Sequence, residues 1–125
     1  MKIAQIVIRT LLGLLFLFAS ITFLLRLFPE PELEGSMKLF NEGLAAAVYV
    51  MPLVKTIELL CGISFVTGRF VPLATVVIFP ITVNIVLVHF FLAPEGIPVA
   101  IFVLLSNLFL AYYYRDRYKS LFTSK

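Results

Sequence analysis

Residues 70–92 read FVPLATVVIFPITVNIVLVHFFL, a run without one Asp, Glu, Lys or Arg. About 20 mostly apolar residues suffice for a helix that crosses the hydrocarbon of a bilayer. Three more segments have the same character: 3–28, with Arg9 and Arg26 near its ends, 48–67 and 97–114. The sequence therefore predicts an all-α integral membrane protein, a four-transmembrane-helix bundle that forms a single transmembrane domain over residues 1–125.

Composition points the same way. Of the 125 residues, 62% are hydrophobic and 14% charged, and mean hydropathy is +1.08. A soluble domain is about 45–50% apolar and about 25% charged, and a small one leaves too much surface exposed to hide this excess. The net charge of +3 does not indicate nucleic acid, because the basic residues sit at helix ends and no basic face with interleaved aromatics is present. Cys61 is the single cysteine, which excludes an internal disulfide. Within an apolar run it reads as a small packing residue.

Punctuation sets the expected limits. Phe28-Pro29-Glu30-Pro31-Glu32 breaks the first helix, and Gly68 offers a left-handed cap after the second. Ala93-Pro94-Glu95-Gly96 reads as a tight turn, and Pro98 suits the first turn of the fourth helix. Pro80, inside the third, should kink it and free the Val76 carbonyl. The first span is longer than a signal-peptide core and lacks a small-x-small cleavage site, so it is expected to remain as a helix. In the connection 29–47, Met37, Phe40, Leu44 and Val48 fall at helical spacing, as in a short helix on the membrane surface.

Lysines and arginines set the orientation. Lys2, Arg9, Arg69, Arg115, Arg117, Lys119 and Lys125 fall on one side of a four-span arrangement. The other side has Lys38, with Arg26 close by, among Glu30, Glu32, Glu34, Glu42 and Glu95. This bias predicts a multi-pass inner-membrane protein with both termini cytoplasmic, an outer loop at 29–47 and a cytoplasmic tail at 115–125. Tyr112, Tyr113, Tyr114 and Tyr118 flank the basic tail as interfacial aromatics do. Arg9 and Arg26 are expected to snorkel to the two surfaces, and Arg26 could alternatively reach an outer pocket or pair with Glu30.

Polar groups within the spans carry the chemistry, since an ionisable side chain in hydrocarbon is a functional-site hypothesis by default. They are Lys55 and Glu58 on the second span, Thr82, Asn84 and His89 on the third, and Asn107 on the fourth. At 1.5 Å per residue, Glu58 lies roughly 15 Å, Asn84 roughly 12 Å and Asn107 roughly 15 Å from the outer ends of their helices. Lys55 and His89 lie nearer the surface. The expectation is a polar pocket opening away from the cytoplasm with Glu58 at its floor. Lys55 and Glu58 share a helix face; Thr82 and His89 share another, whereas Asn84 and His89 stand about 140° apart. Glu58, with Lys55 tuning its acidity, is the candidate proton-handling group. Thr82, Asn84, His89 and Asn107 are the candidate ligand contacts. A bland role competes for all but Thr82: Lys55–Glu58 as an internal ion pair, the asparagines as interhelical hydrogen-bond partners, His89 as a wetted interfacial ring. His89 is the only histidine, too few ligands for a metal site. Phosphate-loop, nucleophile-elbow and zinc motifs are absent. Gly13, Gly62 and Ala111 are candidates for close helix contacts.

The run Pro52-Leu53-Val54-Lys55-Thr56-Ile57-Glu58-Leu59-Leu60, then Gly62, then Thr67-Gly68-Arg69-Phe70-Val71-Pro72-Leu73-Ala74, resembles the second-to-third helix region of the DoxX family. Phe79-Pro80-Ile81-Thr82-Val83-Asn84-Ile85, His89, Pro94-x-Gly96 and Ala111-Tyr112-x-Tyr114-Arg115-Asp116-Arg117-Tyr118 extend the resemblance over about 50–122. It implies a small four-span bundle in a prokaryotic cytoplasmic membrane. The family is named for a small subunit of a thiosulfate:quinone oxidoreductase. Relatives in this subgroup often carry a Gly-x-Asn-Lys-like stretch late in the first helix; here that region reads Ala19-Ser20-Ile21-Thr22-Phe23-Leu24, with Arg26 further on. The resemblance and the buried polar cluster together lead to an accessory or quinone-interacting subunit of a membrane redox system, with a redox partner protein and no covalently bound cofactor. Two rivals stay open: a small-molecule or ion carrier or binding protein using the polar pocket around Glu58, and a structural or assembly factor. The bilayer is the expected surrounding, and self-association into a homo-oligomer is compatible with the small residues on the spans.

Overall fold

A hydrocarbon environment offers the backbone no hydrogen-bond partner, so a spanning segment must satisfy its own amides, as a helix does. The structure, a computed structural model, describes residues 2–27 and 33–122. Its helices are α1 (Lys2–Leu24), α2 (Gly35–Ala46), α3 (Val50–Thr67), α4 (Val71–Phe91) and α5 (Ile97–Tyr113). A 3-10 turn, Pro94–Gly96, leads into α5, and a 3-10 segment, Arg115–Phe122, follows it. No strand occurs among the described residues. The helices Lys2–Leu24, Val50–Thr67, Val71–Phe91 and the stretch Pro94–Tyr113 are long and apolar enough to cross a membrane. The protein is therefore a multi-pass helical membrane protein.

The four spans close into a ring: α1 packs on α3, α3 on α4, α4 on α5, and α5 back on α1, while α2 touches α3 lightly. Short links make α3 and α4, and α4 and α5, antiparallel, and Arg9 near the start of α1 meets the last turn of α3, so these two are antiparallel as well. Leu12, Phe16, Phe65, Val71, Ile78, Val103 and Leu110 fill the core at 0–1% exposure. Yet only 22–28% of each span is buried within the protein, and Phe18, Leu60, Leu73 and Leu105 are among many large apolar side chains turned outward. Several of the polar residues turn the other way: Gln5, Ser20, Glu58, Thr75, Thr82, Ser106 and Asn107 are buried. That inversion suits lipid around the bundle, where apolar burial drives no association and packing and hydrogen bonds must.

The tightest approach is between α1 and α3. A Cβ on Gly13 would lie 2.9 Å from Phe65 Cβ and 3.0 Å from the Gly62 carbonyl oxygen; one on Gly62 would lie 3.0 Å from Leu17 Cγ and 3.1 Å from the Gly13 carbonyl oxygen. Each glycine makes room for the other's backbone, the use expected of both.

Helix ends differ from expectation for local reasons. α1 ends at Leu24, before the proline segment, because Leu27 N–H reaches the Thr22 carbonyl and Arg26 N–H reaches that of Phe23. With Arg26 at φ +52°, this is a Schellman closure without its usual glycine. The proline break at 28–32, Lys125 and any Arg26–Glu30 pairing lie outside the described residues. Met37, Phe40 and Leu44 lie on the half-buried side of α2. Val48 does not continue that stripe: it is exposed, beyond the helix end, at φ +65°. α4 runs unbroken through Pro80, which is exposed on its surface.

Arg9 does not snorkel outward. Its Nη1 donates to the carbonyls of Phe65 (2.7 Å) and Val66 (3.3 Å). It thereby caps the C-terminal end of α3, where free carbonyls and the helix dipole favour a cation. At the same end Gln5 Nε2 donates to Tyr114 Oη (2.8 Å) and Tyr118 Oη donates to the Pro72 carbonyl (2.8 Å).

Candidate functional site

Lys55 and Glu58 stand one turn apart on α3, which brings Lys55 Nζ to 3.1 Å from Glu58 Oε2. Glu58 is 3% exposed. The ammonium also lies 5.6 Å from the centroid of the Phe23 ring, a cation–π contact that ties the pair to α1. The 3.1 Å approach is an ion pair, and no donor besides the Lys55 ammonium serves the buried Oε2 atom among the described residues. Buried polar atoms are nearly always satisfied, and for Oε2 the Lys55 ammonium is that partner. By the pairing of Gly13 with Gly62, the buried Ser20 of α1 falls at the level of this pair.

Thr82 and Asn107 form a second cluster. Thr82 Oγ1 donates to Asn107 Oδ1 (2.8 Å), and Asn107 Nδ2 donates to the Thr75 carbonyl (3.2 Å). Thr75 Oγ1 in turn donates to the Val71 carbonyl (2.7 Å). The Asn107 amide is thus engaged at both atoms, and this clasp joins α4 to α5. Both residues were expected as ligand contacts; here each has a protein partner, the role weighed for Asn107 beside that expectation.

Asn84 and His89 join neither cluster. Asn84 lies on an exposed face of α4, away from the buried Thr82, as its position around the helix requires. His89 Nδ1 meets the Ile85 carbonyl (2.8 Å), so the proton sits on Nδ1 and the other ring edge turns toward Gly96. A Cβ on Gly96 would collide with Cδ2 and Nε2 of that ring. Cys61 Sγ approaches the Ala74 carbonyl at 3.7 Å, which fixes the level of α3 against α4. On that register His89 stands roughly 15–20 Å along the bundle from Glu58. The residues expected around one pocket therefore divide into the Lys55–Glu58 pair, the Thr82–Asn107 clasp, the outward Asn84 and the terminal His89.

A cavity of about 200 Å³ lies between α3 and α4, toward the Gly68 end from Glu58. It is lined by Leu60, Cys61, Ser64, Phe70, Leu73, Ala74 and Val77. Its apolar walls and position distinguish it from the polar pocket expected toward the other end. Among the described residues no three His, Cys, Asp or Glu side chains are grouped so as to hold a metal ion.

Sequence reasoning did not find the contact of Phe23 with Lys55, the burial of Ser20, or the fit of Gly96 under His89. The first joins α1 to α3, and the second depends on how those helices are set against each other, neither of which a pattern within one helix encodes. Gly96 was legible as a turn residue, without a sign of the ring beside it.

Comparison with known proteins places this geometry in a family. No curated protein and no solved structure matches the chain. The DoxX family model matches residues 4–90, from the start of α1 nearly to the end of α4, and so includes Gly13, Lys55, Glu58, Gly62, Thr82 and His89. α5 and the tyrosine-rich tail lie beyond the match. With well over half of its length covered, the chain belongs to the DoxX family.

Proposed function

We propose that this DoxX-family protein is an accessory, quinone-interacting subunit of a membrane redox system, with the Lys55–Glu58 pair as its working site. The observation that carries the reading is the buried Glu58 carboxylate, whose Oε2 has the Lys55 ammonium and no other donor beside it among the described residues. A buried ion pair is frequently no more stabilising than an apolar replacement of the same volume, so stability alone gives weak reason to keep one in mid-span. The pair suits a quinone headgroup. Lys55 offers donors to a carbonyl oxygen, and Glu58 Oε2 offers an acceptor to a hydroxyl and a place to hold a proton. Phe23 covers the ammonium with an apolar ring, compatible with a planar ligand. A bound quinone would supply two-electron, two-proton chemistry; this chain's residues would orient it and handle the proton at Oε2. Electrons would come from a partner protein. The basic end, with Lys2, Arg9, Arg69, Arg115, Arg117 and Lys119, is assigned to the cytoplasm of a cell with an inner membrane.

Affinity purification from native membranes in mild detergent tests this reading, with mass spectrometry of co-purifying proteins and of extracted lipophilic molecules. Near-stoichiometric quinone together with a redox enzyme is expected. A clean single protein with neither would overturn the reading and move the assignment to a carrier, for which proton-coupled uptake in proteoliposomes and its loss in Glu58→Gln would be the next assay.

A further inference from the structure

The two ends of the bundle carry opposite charge. Among the described residues, Lys2, Arg9, Arg69, Arg115, Arg117 and Lys119 gather at one end with a single carboxylate, Asp116. At the other, Arg26 and Lys38 stand with Glu34, Glu42 and Glu95. Asp116 is already engaged, 3.2 Å from Lys119. Arg115 stacks on Tyr112, 4.3 Å from the ring centroid, and donates to its carbonyl. Arg9 is turned inward onto α3. Lys2, Arg69 and Arg117 are exposed and make no ion pair with any described residue.

The tail does not hang free of this end. Tyr118 pins it to the Pro72 carbonyl at the start of α4, which brings the segment Arg115–Phe122 across to the turn that carries Arg69. Tyr114 lies within electrostatic reach of both Arg9 and Arg117. Beyond Tyr118 the segment presents Leu121 and Phe122, 68% and 86% exposed. Unpaired cations, a tyrosine belt and two bare apolar side chains thus share one end of a membrane-spanning bundle.

We propose that this end is a docking surface for anionic phospholipid, with Arg69 and Arg117 on the headgroup phosphate and Leu121 and Phe122 in the adjoining acyl region. Charge complementarity selects an anionic headgroup. The two apolar side chains select a lipid over a free phosphate ion, which could not use them. Interfacial tyrosines place the surface at headgroup level. Basic residues beside spans attract anionic leaflets through a field that salt screens.

The test uses the full chain, purified in neutral detergent and titrated with phosphatidylglycerol or phosphatidylcholine of identical acyl chains, with bound lipid read by native mass spectrometry. Phosphatidylglycerol should be retained at least about fivefold more strongly, and rising salt should erase the preference. The exposed double variant Arg69→Gln, Arg117→Gln should lose the preference with its helical circular dichroism intact. Leu121→Ser, Phe122→Ser should weaken retention of both lipids, and inorganic phosphate should not compete. Equal retention of the two lipids, a preference that survives high salt, or one unchanged in the arginine variant would overturn the proposal. Displacement of lipid by inorganic phosphate would also overturn it, by showing a free-anion site, and so would preferential capture of an acidic protein in place of lipid.

Discussion

Tyr118 shows how much a single residue outside the spans contributes. Its hydroxyl donates to the Pro72 carbonyl, so the bond exists only while the proton is present. Burial raises its pKa above the ordinary tyrosine value; a hydrogen bond with Thr75 opposes this, and Tyr114 adds to it. A folded-state value above the unfolded one gives stability that is complete below the ordinary tyrosine pKa of about 10 and is lost as pH rises through the folded value. Tyr118→Phe should cost about 1 kcal/mol at neutral pH and should lose stability less steeply at alkaline pH. Thermal unfolding of both proteins from about pH 8 to 11 measures this, and parallel curves would contradict it. At this scale the sequence was informative wherever partners lie on one helix. The i, i+3 spacing announced the Lys55–Glu58 pair, and helical angles separated Asn84 from Thr82. It was silent where partners are distant in the chain: Arg9 and the α3 carbonyls lie more than fifty residues apart, and a lone arginine near a helix start reads equally well as a snorkel.

The elements were the most legible part, because each span is a long apolar run and lipid permits that run one conformation. Their ends were less so. α1 stops at a closure built on the left-handed backbone of Arg26, a position where glycine would be the expected signal. Val48 likewise adopts a backbone that a β-branched residue rarely takes, so periodicity carried it into a stripe that the helix does not reach. The α1–α3 seam shows a middle case: Gly13 and Gly62 were legible as close-contact residues, though not as each other's partners. There Gly13→Leu would force a side chain into Phe65 and the Gly62 backbone. Overpacking of this kind costs roughly 1–3 kcal/mol. Unfolding in detergent should show that loss, with a smaller one for Gly13→Ala. Wild-type stability in the leucine variant would mean that α1 and α3 do not meet at these glycines.

Across the whole molecule, the bundle is a ring whose apolar core also holds most of the polar side chains of the spans, while many large apolar ones face outward. Asn107 shows what most of that interior does: it joins α4 to α5 and satisfies its own amide. Glu58 departs from that pattern, since among the described residues its buried Oε2 meets only the Lys55 ammonium one turn away on its own helix. The family and the number of spans could be read from the chain. The division of the polar residues into separate clusters could not, because it depends on which faces meet when the ring closes. The central claim is that the Lys55–Glu58 pair serves a ligand rather than packing alone, and removing the pair together separates the two. A double variant, Lys55→Met with Glu58→Gln, leaves no isolated buried charge and should fold about as stably as the wild type. The most direct measurement is binding of a short-chain quinone to the purified wild type and to this double variant, with unfolding followed on the same samples. Binding to the wild type and its loss in a stably folded double variant is the predicted result. Equal binding by the two, or none by either, would contradict the account.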